Sequence, residues 1–396
     1  MRWILARLHR WAGLFIAVFL FFSGITGALI AWDRELDGWL NPHLFKSGSI
    51  ATQTPFSSLE LARQYEATDD RVRIKYLPLA VEPGNSLRFT VVPRLDPATQ
   101  KPYKVPFNQV SIDPVTGSVQ GTRYWGELSL SREAIMPFLY KMHYTMHIPD
   151  GWGIKLGTWF MGIVSIVWLI DCFVALLISF PYRKAWRKSF TFRWSGGAYK
   201  LNFDLHRSGG VWIWGLLLIM ALTSISMNLP QVMQSVVSQF SPLQPGQYDQ
   251  RARSKTPRDP LLSREDILEK AVLEAKDRGW TLPAGAVHYS APYGVYGVSF
   301  FKSGDDLGAA GLGNASLYYD ADNAQLVSEK VPGEGSAGDI FMNAQFPLHS
   351  GRIIGMPGRI LISIIGVLVA GLSISGIIIL ARKRRARQRE RIAYSA

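Results

Sequence analysis

Four of the seven histidines in this 396-residue chain stand near the ends of long apolar runs. His9 and His206 each lie in a Leu-His-Arg tripeptide just ahead of such a run, and His143 and His349 precede two further runs. A neutral imidazole nitrogen is a suitable ligand for several transition metals. A single histidine at such a boundary is more typical of an interfacial anchor, but four in a repeated placement predict metal ligands.

The apolar runs predict four transmembrane helices, because each is close to the ~20 residues that cross about 30 Å of hydrocarbon. Asp171, well inside the second run, is either a proton acceptor or a partner of a polar group on a neighbouring helix. The predicted segments are an N-terminus at 1–10, spans at 11–32, 156–180, 209–227 and 358–381, outer segments at 33–155 and 228–357, a basic loop at 181–208 and a tail at 382–396.

The net charge of +13 is concentrated in three short segments. Three basic residues lie in residues 1–10, seven in 181–207 and seven in 382–396. The positive-inside rule therefore predicts that both termini and the basic loop are cytoplasmic. The charge describes topology in a lipid membrane and gives no reason to expect a nucleic-acid partner. The one cysteine, Cys172, forms no internal disulfide and is expected to be an apolar packing residue.

An internal repeat sorts the four histidines into two pairs. Leu-His-Arg-x-x-Gly occurs at 8–13 and at 205–210, and His143 and His349 are followed by glycines at similar spacings. The predicted topology places His9 and His206 at the inner face and His143 and His349 at the outer face. Two histidines on different helices can supply both axial ligands of a haem iron. A span of ~35 Å separates the pairs, which predicts two haems.

Several neighbouring residues are further candidates. His147 lies four residues after His143 and is an alternative outer ligand. Arg10, Arg207 and Arg352 are candidate partners of haem propionates, although the first two are equally explained by the positive-inside rule. Zinc and a proton relay remain alternatives, but each end of the membrane offers only two or three histidines, and zinc prefers four close ligands. No Cys-x-x-Cys-His motif occurs, so the haems are expected to be non-covalent b-type haems.

The outer segments have the pattern of small α+β domains. Residues 110–119 and 317–326 each read as a strand, a turn that begins at an aspartate, and a second strand. Further strands are predicted at Leu87–Val92 and Val295–Phe301, and helices at Ser57–Glu66 and Ser263–Arg278. The second of these helices begins with a capping-box pattern, Ser263-Arg-Glu-Asp266.

These motifs resemble the PepSY-associated transmembrane family of bacterial iron-regulated membrane proteins. The resemblance rests on Leu8-His-Arg-Trp-Ala-Gly-Leu14, Tyr140-Lys-Met-His143, Asp204-Leu-His-Arg207, Pro347-Leu-His-Ser-Gly-Arg352 and Ile112-Asp-Pro-Val-Thr-Gly117. It implies an internally duplicated α-helical protein of the bacterial inner membrane, with four transmembrane helices and two periplasmic α+β PepSY-like domains.

The resemblance also implies an oxidoreductase. Electrons would pass through two haems and reduce a ferric siderophore in the periplasm, releasing Fe(II). The sequence predicts no built-in Rossmann domain for a nicotinamide or a flavin, so a quinol or a cytoplasmic reductase would supply the electrons. The alternative is a non-redox accessory protein that binds a peptide, a protease or a transporter, with the histidines as interfacial anchors.

Overall fold

The computed structural model describes residues 1–49, 53–249, 251–254, 256–257 and 259–395. The chain divides into two compact units. The helical unit comprises Met1–Trp32, Leu139–Val236 and Leu348–Ala396. The sheet unit comprises Asp33–Phe138 and Val237–Pro347. The chain therefore enters and leaves each unit more than once, following the predicted order of spans and outer segments.

The described residues form twelve α-helices and eight β-strands. The helices are α1 (Arg2–Ile30), α2 (Asp33–Leu40), α3 (Pro42–Phe45), α4 (Ser58–Thr68), α5 (Ile135–Thr145), α6 (Leu156–Ser179), α7 (Ala198–Trp212), α8 (Trp214–Asn228), α9 (Pro230–Val237), α10 (Arg264–Asp277), α11 (Ala337–His349) and α12 (Met356–Ser395). The strands are β1 (Val72–Pro78), β2 (Leu87–Pro93), β3 (Gln109–Ile112), β4 (Val119–Arg123), β5 (Ala284–Ser290), β6 (Val295–Phe300), β7 (Ala315–Asp320) and β8 (Leu326–Lys330).

The chain is a membrane-type protein with three continuous candidate spans among its described residues. These are Arg2–Ile30, Leu156–Ser179 and Met356–Ala393. The predicted third span at 209–227 is bent, because α7 and α8 meet at Ile213 at an angle of 69°. Gly209 and Gly210 precede the bend, and glycine weakens a helix at such a point. Counting the bent pair as one span gives four.

Glycines allow two of the spans to approach closely. A Cβ atom at Gly24 of α1 would lie 2.5 Å from the carbonyl oxygen of Gly366 on α12, so the two backbones are in contact there. On another side of the helical unit, the indole nitrogen of Trp214 donates to the carbonyl oxygen of Cys172 at 2.9 Å. Cys172 is buried in an apolar cluster and packs as the sequence predicts.

All eight strands of the sheet unit belong to one antiparallel sheet. Its order is β4-β3-β2-β1-β5-β6-β7-β8. The two outer segments, predicted as two domains, thus contribute four strands each and meet where Tyr76 of β1 pairs with His288 of β5. The described part of the chain therefore joins them in one compact unit through a shared sheet.

One apolar core unites the two halves of this sheet. Leu61 of α4 and Ile267 of α10 are buried in the same cluster as Phe89, Tyr296 and Leu317 from the strands. In β2, alternate residues are buried, which is the pattern of a strand with one face against a core. The carboxylate of Glu66 on α4 also accepts two hydrogen bonds, each of 2.8 Å, from the guanidinium of Arg264 on α10.

The two predicted strand–turn–strand motifs are confirmed and have matching turns. Asp113 accepts hydrogen bonds from the backbone N–H groups two and three residues later, at 2.9 and 3.3 Å, and Asp320 does the same at 2.7 and 3.2 Å. Gly117 has a φ of 71° and the corresponding Ala324 a φ of 55°. The second turn thus adopts the left-handed conformation without glycine. The capping box at Ser263 is also confirmed.

Candidate functional site

The helical unit brings His9 and His206 together. His9 lies on α1 and His206 on α7, and their ring centroids are 6.0 Å apart. The two residues are almost two hundred positions apart in the chain, so only the packing of the helices makes them neighbours.

A second pair of histidines has the same separation. His143 lies on α5 and His349 on α11, and their ring centroids are also 6.0 Å apart. Two imidazoles that bind one metal ion from opposite sides, each through a metal–nitrogen bond of about 2 Å, have ring centroids about 6 Å apart. Both pairs therefore have a separation that suits two axial ligands of one iron.

The rings of the His143/His349 pair are oriented by matching threonines. The Nδ1 atom of His143 lies 2.9 Å from the carbonyl oxygen of Ser23 and 3.3 Å from the hydroxyl of Thr26. The Nδ1 atom of His349 lies 3.0 Å from the hydroxyl of Thr223. Each threonine donates its own hydroxyl proton to the carbonyl four residues earlier, at 2.7 and 2.8 Å. The hydroxyl oxygen is thus available to accept a hydrogen bond from Nδ1–H.

The rings of the His9/His206 pair have unlike partners. Nδ1 of His9 lies 2.9 and 3.0 Å from the two carboxylate oxygens of Asp171 on α6. Nδ1 of His206 lies 3.0 Å from the carbonyl oxygen of Leu372 and 3.1 Å from the hydroxyl of Ser375, both on α12. The sequence left two roles open for Asp171, a proton acceptor or a partner of a polar group. In the structure it is the hydrogen-bond partner of the candidate ligand His9.

These contacts leave the same nitrogen available on all four rings. Each Nδ1 has an acceptor, and the hydrogen bonds recorded among the described residues include none to the Nε2 of His9, His143, His206 or His349. A proton on Nδ1 leaves the Nε2 lone pair as the metal-binding donor, and metal-binding histidines generally have such an acceptor at their other nitrogen. The donor set therefore fits two six-coordinate haem irons.

Two glycines provide space for rings from different pairs. A Cβ atom at Gly27 of α1 would lie 2.8 Å from Cε1 of His143, and one at Gly376 of α12 would lie 3.0 Å from Cε1 of His206. By contrast, Gly371 faces open space within the described structure. Some glycines of the spans therefore allow helices to touch, some leave space for a histidine ring, and some do neither.

The repeat extends to the residues that orient the rings. Thr26 follows His9 by 17 residues, and Thr223 follows His206 by 17 residues. Asp171 follows Gly162 by nine residues, and Ser375 follows Gly366 by nine. Sequence reasoning missed Thr26, Thr223 and Ser375, although extending the repeat by these spacings would have found them.

His147, the alternative outer ligand, does not take part in the 6.0 Å ring contact, which joins His143 and His349. It lies just beyond the end of α5 with a φ of 55°, and its backbone N–H donates to the hydroxyl of Thr145 at 3.2 Å.

The candidate arginines have different surroundings. Arg207 lies 3.6 Å from the buried carboxylate of Asp204 and donates to the carbonyl oxygen of Lys188, so it has local partners, although its Nε is buried without one. Arg10 and Arg352 are partly buried, one residue after His9 and three after His349. Arg359 donates two hydrogen bonds to the carbonyl oxygen of Ala31, the residue that follows α1.

The other histidines belong to the sheet unit. His43 is exposed and lies 2.9 Å from the carboxylate of Glu133. His288 packs against Gly297 and Tyr318, and burial lowers its pKa to about 4. Within the described residues no group of three or more His, Cys, Asp and Glu side chains could hold a metal ion. Each histidine pair thus supplies two donors, which suits a macrocycle that brings its own four nitrogens better than zinc.

The sheet unit contains a cavity of about 850 Å³. Its lining includes the aromatic residues Tyr103, Tyr124 and Trp125 and the basic residues Lys75 and Lys104. None of its described lining residues is acidic. Aromatic and cationic side chains around a cavity of this size favour a planar or anionic ligand.

Fold and site together define a membrane protein whose helices hold two histidine pairs. A family model described as the PepSY-associated TM region matches residues 6–383. The chain therefore belongs to the PepSY-associated transmembrane family. No curated protein matches it.

Proposed function

We propose that this protein binds two b-type haems and conducts electrons across the membrane to a ferric chelate. The observation that carries this proposal is the pair of 6.0 Å ring separations, each with both Nε2 atoms available. His9 and His206 would hold one haem, and His143 and His349 the other. The bound haem would supply reversible one-electron chemistry at its iron.

The two sites lie near opposite ends of α1. His9 belongs to one pair, and Thr26, which contacts His143 of the other pair, follows 17 residues later. At 1.5 Å per helical residue this is about 25 Å along the helix axis. One metal cannot span that distance, which supports a separate haem at each site.

The proposed orientation follows from the charges. If α7 and α8 form one bent span, the chain crosses the membrane four times and both termini lie on the same side. The positive-inside rule then places the N-terminus, the basic loop and the basic tail in the cytoplasm, and the sheet unit outside it. In a bacterial inner membrane, the His9/His206 site would be cytoplasmic and the His143/His349 site periplasmic.

The proposed electron acceptor is a ferric siderophore in the periplasm. Hard oxygen ligands hold Fe(III) more tightly than Fe(II), so adding one electron favours release of the metal. The cavity lined by Lys75 and Lys104 supports an anionic chelate as the ligand of the sheet unit. The electrons would come from a quinol or a cytoplasmic reductase, since the one Gly-x-Gly-x-x-Gly run, at 333–338, follows β8 of an antiparallel sheet and does not lie in a parallel βαβ unit.

The first experiment measures haem in the purified full-length chain. A dithionite-reduced sample should show the sharp bands of six-coordinate b-type haem at two haems per chain. His9→Ala and His143→Ala should each lower the content to about one haem. His43→Ala is the matched control, because His43 is exposed and paired with Glu133, and it should retain two.

The second experiment measures transport of electrons. Vesicles that contain the full-length chain, a reductant on the cytoplasmic side and a ferric chelate on the other side should produce Fe(II), detected with a ferrous-specific chromogenic chelator. His9→Ala should abolish the Fe(II) signal. A wild-type chain without haem would reject the proposal and leave the non-redox accessory protein as the function to pursue.

A further inference from the structure

The two histidine pairs differ in one charge. In the part of the chain that the structure describes, the rings of the His143/His349 pair have only neutral partners, which are the hydroxyls of Thr26 and Thr223 and the carbonyl oxygen of Ser23. At the His9/His206 pair, the ring partners include Asp171 and Ser375, which occupy equivalent positions in the two copies of the repeat. The duplicated unit thus has a carboxylate in one copy and a hydroxyl in the other.

The carboxylate of Asp171 is placed for a strong hydrogen bond. Its two oxygens lie 2.9 and 3.0 Å from Nδ1 of His9, and only 10% of its side chain is exposed. Among the described residues, the ion pair recorded for Asp171 is the one with His9. A carboxylate inside a membrane span is costly, and such a residue is usually retained for function.

A carboxylate that accepts the Nδ1 proton makes the imidazole a stronger electron donor. Hydrogen bonds to a charged acceptor are about twice as strong as those between neutral groups, and an outer partner of this kind raises the basicity of the ligand nitrogen. A more basic axial ligand stabilises Fe(III) relative to Fe(II) and lowers the reduction potential of the iron. Ser375 gives His206 a neutral partner and therefore a smaller effect.

We infer that Asp171 makes the His9/His206 site the lower-potential site of the two. This inference rests on the proposed function and adds to it the direction of electron flow between the two sites. With haem bound at both pairs, an electron would be favoured to pass from the site held by His9 and His206 to the site held by His143 and His349. Asp171 is a positioning residue that acts through His9, and the charge difference between the copies favours electron flow toward the His143/His349 site.

The test is a redox titration of the full-length protein with both haems bound. The wild-type chain should show two midpoint potentials. Asp171→Asn should raise the lower one, changing the Fe(III)/Fe(II) ratio at a fixed potential about tenfold, which is about 59 mV for one electron. Thr26→Val is the matched control for the other site and should leave the lower midpoint unchanged.

The repeat provides a second, independent variant. Ser375→Asp places a carboxylate beside His206 and should lower the same midpoint in the wild-type background. In the Asp171→Asn background it should restore the low value. This variant decides the question if Asp171→Asn does not retain haem. If neither Asp171→Asn nor Ser375→Asp shifts a midpoint potential in protein that retains two haems, the inference is overturned but the proposed function stands. A protein that binds no haem would overturn both.

Discussion

Replacing Gly27 by alanine should displace His143 and weaken binding at one site alone. The added Cβ would lie 2.8 Å from Cε1 and 3.3 Å from Nδ1 of the histidine ring, whereas ordinary contacts are 3.4–4 Å. The ring must therefore move by roughly 0.6–1.2 Å. The three atoms nearest to the added Cβ all belong to His143, so the perturbation acts first on the ring.

The expected loss can be worked out from the contacts of the ring. The displacement breaks or lengthens the 2.9 Å hydrogen bond between Nδ1 and the carbonyl oxygen of Ser23, which is worth about 1 kcal/mol. Loss of such an outer partner typically lowers metal affinity about 10- to 100-fold, or about 1.4–2.7 kcal/mol. Haem dissociation, measured by transfer to an apo-globin, should become faster by this factor for one of the two haems.

Gly371→Ala is the matched control. Gly371 lies in the same kind of helix, faces open space, and gains the same ~1 kcal/mol of helix propensity from alanine. It should retain two haems with wild-type dissociation rates. If Gly27→Ala did the same, the contact between His143 and α1 would not position a haem ligand, and the reasoning from ring geometry would be refuted.

Two further predictions concern the sheet unit. Lys104→Ala should weaken binding of ferric dicitrate, an anionic probe, about two- to fivefold, because an exposed cation contributes up to about 1 kcal/mol. Quenching of tryptophan fluorescence measures this affinity. Lys101→Ala, outside the cavity lining, should leave the affinity unchanged. Glu66→Ala should destabilise the sheet unit by about 3–5 kcal/mol because it leaves the largely buried guanidinium of Arg264 without its carboxylate partner. Arg63→Ala, which removes an exposed ion pair, should cost no more than about 1 kcal/mol. Hydrogen exchange of the sheet unit measures both losses of stability, and equal losses for the two variants would contradict the burial argument.

Local patterns predicted much of the sheet unit. The helix at 57–66, the strands at 87–92 and 295–301 and the capping box at Ser263 are all present within a few residues of their predicted bounds. What these patterns did not predict is the pairing of β1 with β5, since an edge strand of either half has the same alternation whether it is exposed or paired. The bend at Ile213 was also missed, because an apolar run has the same hydropathy whether it is straight or bent.

The sequence alone determined that the chain has long apolar helices, that basic residues cluster in the segments predicted on one side of the membrane, and that four histidines recur near the helix ends. These are local properties of composition and spacing. The repeat and the charge bias also predicted the pairs His9/His206 and His143/His349. Only the tertiary structure showed that the two rings of each pair meet, and what orients each ring. The Nδ1 partners of His9, His143, His206 and His349 are 162, 117, 169 and 126 residues away in the chain. Contacts over such separations depend on how the helices pack, and the repeat marks equivalent positions without showing which of them touch.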